Sequence, residues 1–230
     1  VLIRLAELIS LAPAAQVVLV VVGSLTAVLA GLVMLTRISI KVRLAWSTCA
    51  QMGFMLMEIG LGLYELALLH LVAHSLYKAY AFLGAGETVR LARMNDFTVA
   101  GRASRSPLWY LGAVALGAAL VAGSAAAWEL FLPGLAVPPV ALLIVALGLA
   151  SLLWLEPGYT PALLLRGVLQ VLALTQLYLT WHLLFAGLAP VPAHPASPLV
   201  AWVVVCFGVL YGSQVWLRCY PNGRFARALY

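Results

Sequence analysis

Charge is scarce in this chain. Only 9% of its 230 residues are Asp, Glu, Lys or Arg, against roughly a quarter in a soluble domain. The acids number seven in all, too few and too scattered to furnish the paired carboxylates of a hydrolase. Cysteine is nearly absent as well. Cys49, Cys206 and Cys219 form no CxxC pair and no Cys/His cluster, which argues against a disulfide framework, an iron–sulfur site or structural zinc. Neither a phosphate-binding glycine loop nor a nucleophile elbow is present.

Apolar residues fill the space that charge leaves. They make up 65% of the chain, and mean hydropathy is +1.08. Runs long enough to cross about 30 Å of hydrocarbon recur from end to end, leaving no stretch for a separate soluble domain. The expected fold is an all-α polytopic membrane protein, with one transmembrane domain over residues 1–230. Hydropathy places about seven spans near Ala14–Leu35, Leu44–Ile59, Glu65–Ala85, Pro107–Leu132, Val137–Leu155, Pro161–Leu188 and Leu199–Leu217. Pro13, Pro107, Pro161 and Pro198 stand at or just before helix starts, where a missing N–H costs nothing. Gly112, Gly117 and Gly123 mark Pro107–Leu132 as a close-packing helix. Val1–Leu8 reads as the tail of a helix, so the chain is expected to be a piece of a longer subunit.

The net charge of +6 reports orientation rather than nucleic-acid binding. Arg37, Lys41 and Arg43, then Arg90, Arg93, Arg102 and Arg105, then Arg218, Arg224 and Arg227 fall in alternate connectors and the tail. The intervening connectors hold no Lys or Arg, so the basic side and the C-terminus are expected in the cytoplasm. Glu129, Glu156 and Glu65 are expected near the headgroups, and His194 in a solvated loop.

Against this background one segment stands apart. In LLHLVAHSLYKAYAFLGAG, His70, His74 and Lys78 are spaced four residues apart and fall on one helical stripe. Ionisable groups at membrane depth are costly and mark ion or proton paths. An imidazole titrates at about pH 6.5 and exchanges protons at either nitrogen, and a desolvated lysine readily gives up its proton. The three are candidate members of a proton or cation path. Glu58 is a candidate partner of His70, and Ser47, Thr48 and Gln51 give the preceding helix a polar face that can support the relay. The alternative is that the histidines satisfy neighbouring polar groups while Lys78 reaches the interface. A metal at His70 and His74 would have only His182 as a third ligand, with Lys78 repelling it, so no metal or catalytic residue is expected in this chain.

The segment IKVRLAWSTCAQMGFMLMEIGLGLYELALLHLVAHSLYKAYAFLGAG resembles the proton-pumping membrane subunits of respiratory complex I and the Mrp-type antiporters. Their pattern is K-x-x-LAYST-x-x-Q-x-G followed by H-x-x-x-H-A-x-x-KA-x-x-FL-x-x-G. More narrowly, WSTCAQMGFM, HSLYKAYAFL and the PNGRFARALY terminus are similar to the DabB family of inorganic-carbon accumulation complexes. The resemblance implies the C-terminal half of an antiporter-like unit, in which His70, His74 and Lys78 carry protons or sodium ions. It further implies a cytoplasm-facing DabA-like partner of carbonic-anhydrase type. Zinc is expected in that partner, with no cofactor in this chain, and the location implied is the bacterial inner membrane. The helix after Lys78 lacks the intramembrane lysine or glutamate of complex I relatives, which argues against autonomous pumping. The alternative is a subunit of a complex I-like, hydrogenase-linked or Mrp-type assembly.

Overall fold

A computed structural model describes residues 2–37, 39–84, 107–133, 137–154, 161–185 and 197–220. Among these the secondary structure is helical, with no strand. A 3-10 turn, Leu2–Leu5, leads into the short helix α1, Ala6–Ser10. There follow α2 (Pro13–Thr36), α3 (Ile40–Gly60), α4 (Tyr64–Leu83) and α5 (Pro107–Phe131). Next come α6 (Pro139–Ala150) with a 3-10 turn, Ser151–Leu153, then α7 (Pro161–Phe185) and α8 (Ser197–Cys219). Prolines open α2, α5, α6 and α7, where the first helical N–H has no partner to lose. The expected cytoplasmic connector from Gly86 to Ser106, His194, Glu156, Arg224 and Arg227 lie outside the described residues.

Five helices are long and apolar enough to span a bilayer: Pro13–Leu35, Tyr64–Leu83, Leu108–Phe131, Pro161–Phe185 and Pro198–Cys219. The other two expected spans differ for identifiable reasons. At 21 residues α3 is long enough, but it carries Lys41, Arg43 and Glu58 together with Ser47, Thr48 and Gln51. Pro139–Leu153 is apolar but short, reaching about 22 Å of the roughly 30 Å needed. Large apolar side chains such as Val18, Leu29, Leu76, Leu83, Leu130, Leu184 and Val205 face outward, as expected of helices that meet lipid or further membrane helices. The protein is a multi-pass membrane protein.

Packing is tightest between α2 and α3, which run antiparallel. A Cβ at Gly53 would stand 2.7 Å from the Gly23 carbonyl oxygen and 2.8 Å from the Ala27 nitrogen; one at Gly23 would stand 2.6 Å from the Met57 nitrogen. Small residues here allow the backbone contact that holds apolar helices together in lipid. The glycines of α5 do not play this part among the described residues. A Cβ at Gly117 would stand 3.5 Å from the Ala150 Cα, an ordinary contact, while one at Gly112 or Gly123 would meet nothing within 4 Å.

The α3–α4 turn closes by a Schellman arrangement. Leu63 N–H donates to the Glu58 carbonyl oxygen at 2.8 Å, Gly62 N–H donates to that of Ile59 at 3.0 Å, and Gly62 has φ 78°. This turn sits in the main core, where Val20, Met57, Leu61, Leu63, Leu66, Ile144, Tyr178, Leu179 and Val203 pack from six helices. It sets α3 and α4 antiparallel and adjoins the Glu58 end of the stripe described next. Because α2 and α8 run parallel (Ser24 meets Trp202, Gly31 meets Leu210) and α3 and α4 antiparallel, Lys41, Arg43 and Arg218 share one end of the bundle with Lys78.

Candidate functional site

The polar stripe of α3 faces the ionisable stripe of α4 in antiparallel register. Near the basic end, Lys78 Nζ donates to the Leu44 carbonyl oxygen at 2.5 Å and to the Ser47 hydroxyl. Lys78 is 8% exposed, so it does not reach the interface as a snorkelling lysine would. Both of its acceptors are neutral. The Leu44 carbonyl gathers three side-chain donors, because Ser47 Oγ and Thr48 Oγ1 also donate to it at 2.9 and 3.0 Å. Thr48 therefore supports the lysine's acceptor rather than the lysine itself.

Two turns further along, His70 bridges two groups of α3. Its Nδ1 lies 3.1 Å from Glu58 Oε2, and its Nε2 meets Gln51 Oε1. Glu58 is 1% exposed, and the His70 side chain is 18% exposed. With a proton on Nε2 donated to the Gln51 amide oxygen, the Nδ1–Glu58 contact holds one more. That proton resides either on the carboxyl, donated to a neutral ring, or on the ring, donated to a carboxylate. Either way the pair stores one exchangeable proton in a buried place. Phe54, one turn from Gln51, packs edge-on against the His70 ring at 5.0 Å.

His74 lies between these two clusters. Its ring centroid is 6.3 Å from that of His70, and its Nε2 is buried without a hydrogen-bond partner among the described residues. The stripe thus has neutral acceptors at one end, a histidine–carboxyl pair at the other, and an unengaged imidazole between. A cavity of about 340 Å³, bounded by α2, α3, α6 and α8, opens onto Gln51 and Phe54 beside the His70 contact.

Glu58, Gln51, Ser47 and Lys78, expected to share one interface, come together here. Glu65 is expected from the sequence to be an interfacial acid. The structure instead pairs Glu65 Oε2 with His182 Nδ1 at 2.6 Å, and Trp181 Nε1–H donates to the Glu65 carbonyl oxygen at 3.1 Å. The stripe Val171, Thr175, Tyr178 and His182 marks a mostly buried face of α7 and so an inward His182, but it does not say which helix that face meets. Among the described residues no three His, Cys, Asp or Glu side chains converge in a way that could hold a metal ion.

The spans and this interface define a polytopic membrane protein that carries His, Lys and Glu side chains between its helices, a placement that is costly in lipid. The particular family is shown by comparison: the model of the NADH:quinone oxidoreductase/Mrp antiporter transmembrane family matches residues 1–152, and the chain belongs to that family. One relative is a probable inorganic carbon transporter subunit DabB of Hydrogenovibrio crunogenus, 55% identical over 122 residues, which cover 53% of this chain and 23% of the relative. A second is a probable inorganic carbon transporter subunit DabB2 of Halothiobacillus neapolitanus, 40% identical over 153 residues, covering 66% of this chain and 27% of the relative. NADH-quinone oxidoreductase subunit L of Pseudomonas aeruginosa is 38% identical over 117 residues, covering 50% of this chain and 19% of that protein. The chain therefore spans about a quarter of the length of these relatives or less. No solved structure matches it.

Proposed function

We propose that this chain is part of a membrane subunit that conducts protons or sodium ions through the Lys78–His74–His70–Glu58 stripe. On this reading the cation flow drives inorganic-carbon uptake, as CO2 or bicarbonate, by a carbonic-anhydrase-like partner. The observation that carries it is the Glu58–His70–Gln51 contact: a carboxyl 1% exposed, engaged by an imidazole, on the same interface as a buried lysine. Such a set is expensive in a membrane protein and brings exchangeable protons to its interior. Similarity to DabB proteins over 53% and 66% of the chain supports the carbon-uptake assignment.

The finer elements belong to the same proposal. The chain is the C-terminal portion of a longer antiporter-like subunit of a bacterial inner membrane. Its basic end, with Lys41, Arg43, Arg218 and the C-terminus, faces the cytoplasm, in keeping with the positive-inside rule. A DabA-like partner docks on that side and brings the zinc and the hydration chemistry, so this chain is a transport subunit and not an enzyme. Its own residues hold and pass protons: Ser47 and the Leu44 carbonyl seat Lys78, Thr48 steadies that carbonyl, and Gln51 orients His70 toward Glu58.

A second reading has one specific observation in its favour, the similarity to complex I subunit L and chain 5 proteins at 38–42% identity. It makes this chain a proton-translocating subunit of a complex I-like, hydrogenase-linked or Mrp-type assembly. Gentle purification of the full-length subunit separates the two. A zinc-bearing partner of carbonic-anhydrase type, with carbon uptake that an uncoupler stops, supports the first reading. Iron–sulfur or further antiporter subunits, or uptake indifferent to the uncoupler, overturns it.

A further inference from the structure

A second histidine–carboxyl pair lies at the end of the bundle opposite Lys78. Glu65, in the first turn of α4, places Oε2 2.6 Å from Nδ1 of His182, in the last turn of α7. The side chains are 16% and 12% exposed, so this pair is open to its surroundings to a small degree where Glu58 is closed. It is also held in place. Trp181 donates to the Glu65 backbone carbonyl, Trp181 stacks on Phe185 at 4.3 Å, and the neighbouring Tyr64 hydroxyl donates to the Ala6 carbonyl oxygen at 3.2 Å.

The two pairs are linked through Tyr178. That residue is buried one turn before His182, its ring stacked on the imidazole at 6.3 Å. It belongs to the same core cluster as Met57, Leu61, Leu63 and Leu66, which lie around the turn that joins Glu58 to Glu65. The titratable side chain in contact with the second pair is Tyr178 of α7.

We propose that Glu65 and His182 form a second proton-exchanging station, the mouth of the path at the end away from Lys78, communicating with Glu58 and His70 past Tyr178. This rests on the reading of the Lys78–His70 stripe as a cation path. No bond other than O–H and N–H changes: a proton taken up by Glu65 or His182 from one side leaves toward Glu58–His70, and the reverse.

The test uses the full-length subunit with its partner in liposomes that enclose a pH-sensitive dye. Proton flux is read while the pH is varied on one side at a time. Glu65→Gln and His182→Gln are expected to lower flux at least tenfold and to flatten its dependence on the pH of the side that Glu65 faces. Dependence on the other side should persist, and Glu65→Asp should restore much of the flux. Wild-type flux and pH profiles in both glutamine variants, with Lys78→Met inactive, overturn the station and leave the path. Wild-type flux in Lys78→Met as well overturns the path itself. Lost flux that tracks lost assembly, with no rescue by Glu65→Asp, shows a structural pair and also overturns the station.

Discussion

His70 touches Glu58 through Nδ1 at 3.1 Å and Gln51 through Nε2, so one imidazole of α4 ties together two polar groups of α3 nearly two turns apart. The carboxyl it meets is closed to solvent. Removing only the ring therefore strands Glu58, whereas changing only the acid's charge does not. His70→Ala should destabilise the protein by about 3 kcal/mol, the usual result of leaving one member of a buried pair alone. Glu58→Gln keeps shape and a hydrogen bond, so it should cost under about 1 kcal/mol while abolishing proton exchange at this point. Thermal unfolding in detergent, followed by size-exclusion chromatography, separates the two variants.

Lys78 has only neutral acceptors, the Leu44 carbonyl and the Ser47 hydroxyl. Burial of a cation in that setting is a thermodynamic burden, and an apolar side chain of like length relieves it. Lys78→Met should leave the melting temperature unchanged or raised while transport is lost. A fall of several degrees in the same thermal assay would show that the lysine holds the bundle together.

His74 provides a cleaner separation of chemistry from folding. Its Nε2 is buried without a hydrogen-bond partner among the described residues, so replacing the ring by an apolar one removes an unsatisfied group. His74→Leu is expected to fold as well as the parent, within about 1 kcal/mol or better. Transport should nonetheless fall, because the stripe would lose its middle member. Membrane abundance by immunoblot beside transport in the same cells checks both halves of the statement.

The glycine contacts give a prediction about packing alone. A methyl at Gly53 meets backbone atoms of α2 at 2.7 and 2.8 Å, which cannot swing aside, so Gly53→Ala should cost about 1–3 kcal/mol and lower the yield of folded protein. Gly112→Ala, with nothing within 4 Å among the described residues, should be neutral or slightly stabilising through helix propensity.

What the sequence revealed followed from local rules. Apolar run length and the prolines at Pro13, Pro107 and Pro161 located helix starts within a residue, and the fourfold spacing of His70, His74 and Lys78 placed them on one stripe. Glu58, Gln51 and Ser47 could be assigned to the same interface because a short turn forces α3 and α4 to be antiparallel neighbours. The Glu65–His182 pair could not, since 117 residues separate its members and nothing in α7 alone says which helix it meets. The tight α2–α3 approach was obscured for a similar reason: glycine and alanine are more conspicuous in α5, but only the pairing of helices shows where small residues are used.

The central claim is that the buried stripe moves cations to drive inorganic-carbon uptake. The most direct measurement is radiolabelled inorganic-carbon uptake by a carbonic-anhydrase-deficient host carrying the full-length subunit and its partner, comparing the parent with Lys78→Met at equal membrane abundance. The expected result is loss of uptake in the variant to the level of parent cells treated with an uncoupler. Full uptake by Lys78→Met, still abolished by the uncoupler, would contradict the claim that this stripe is the path.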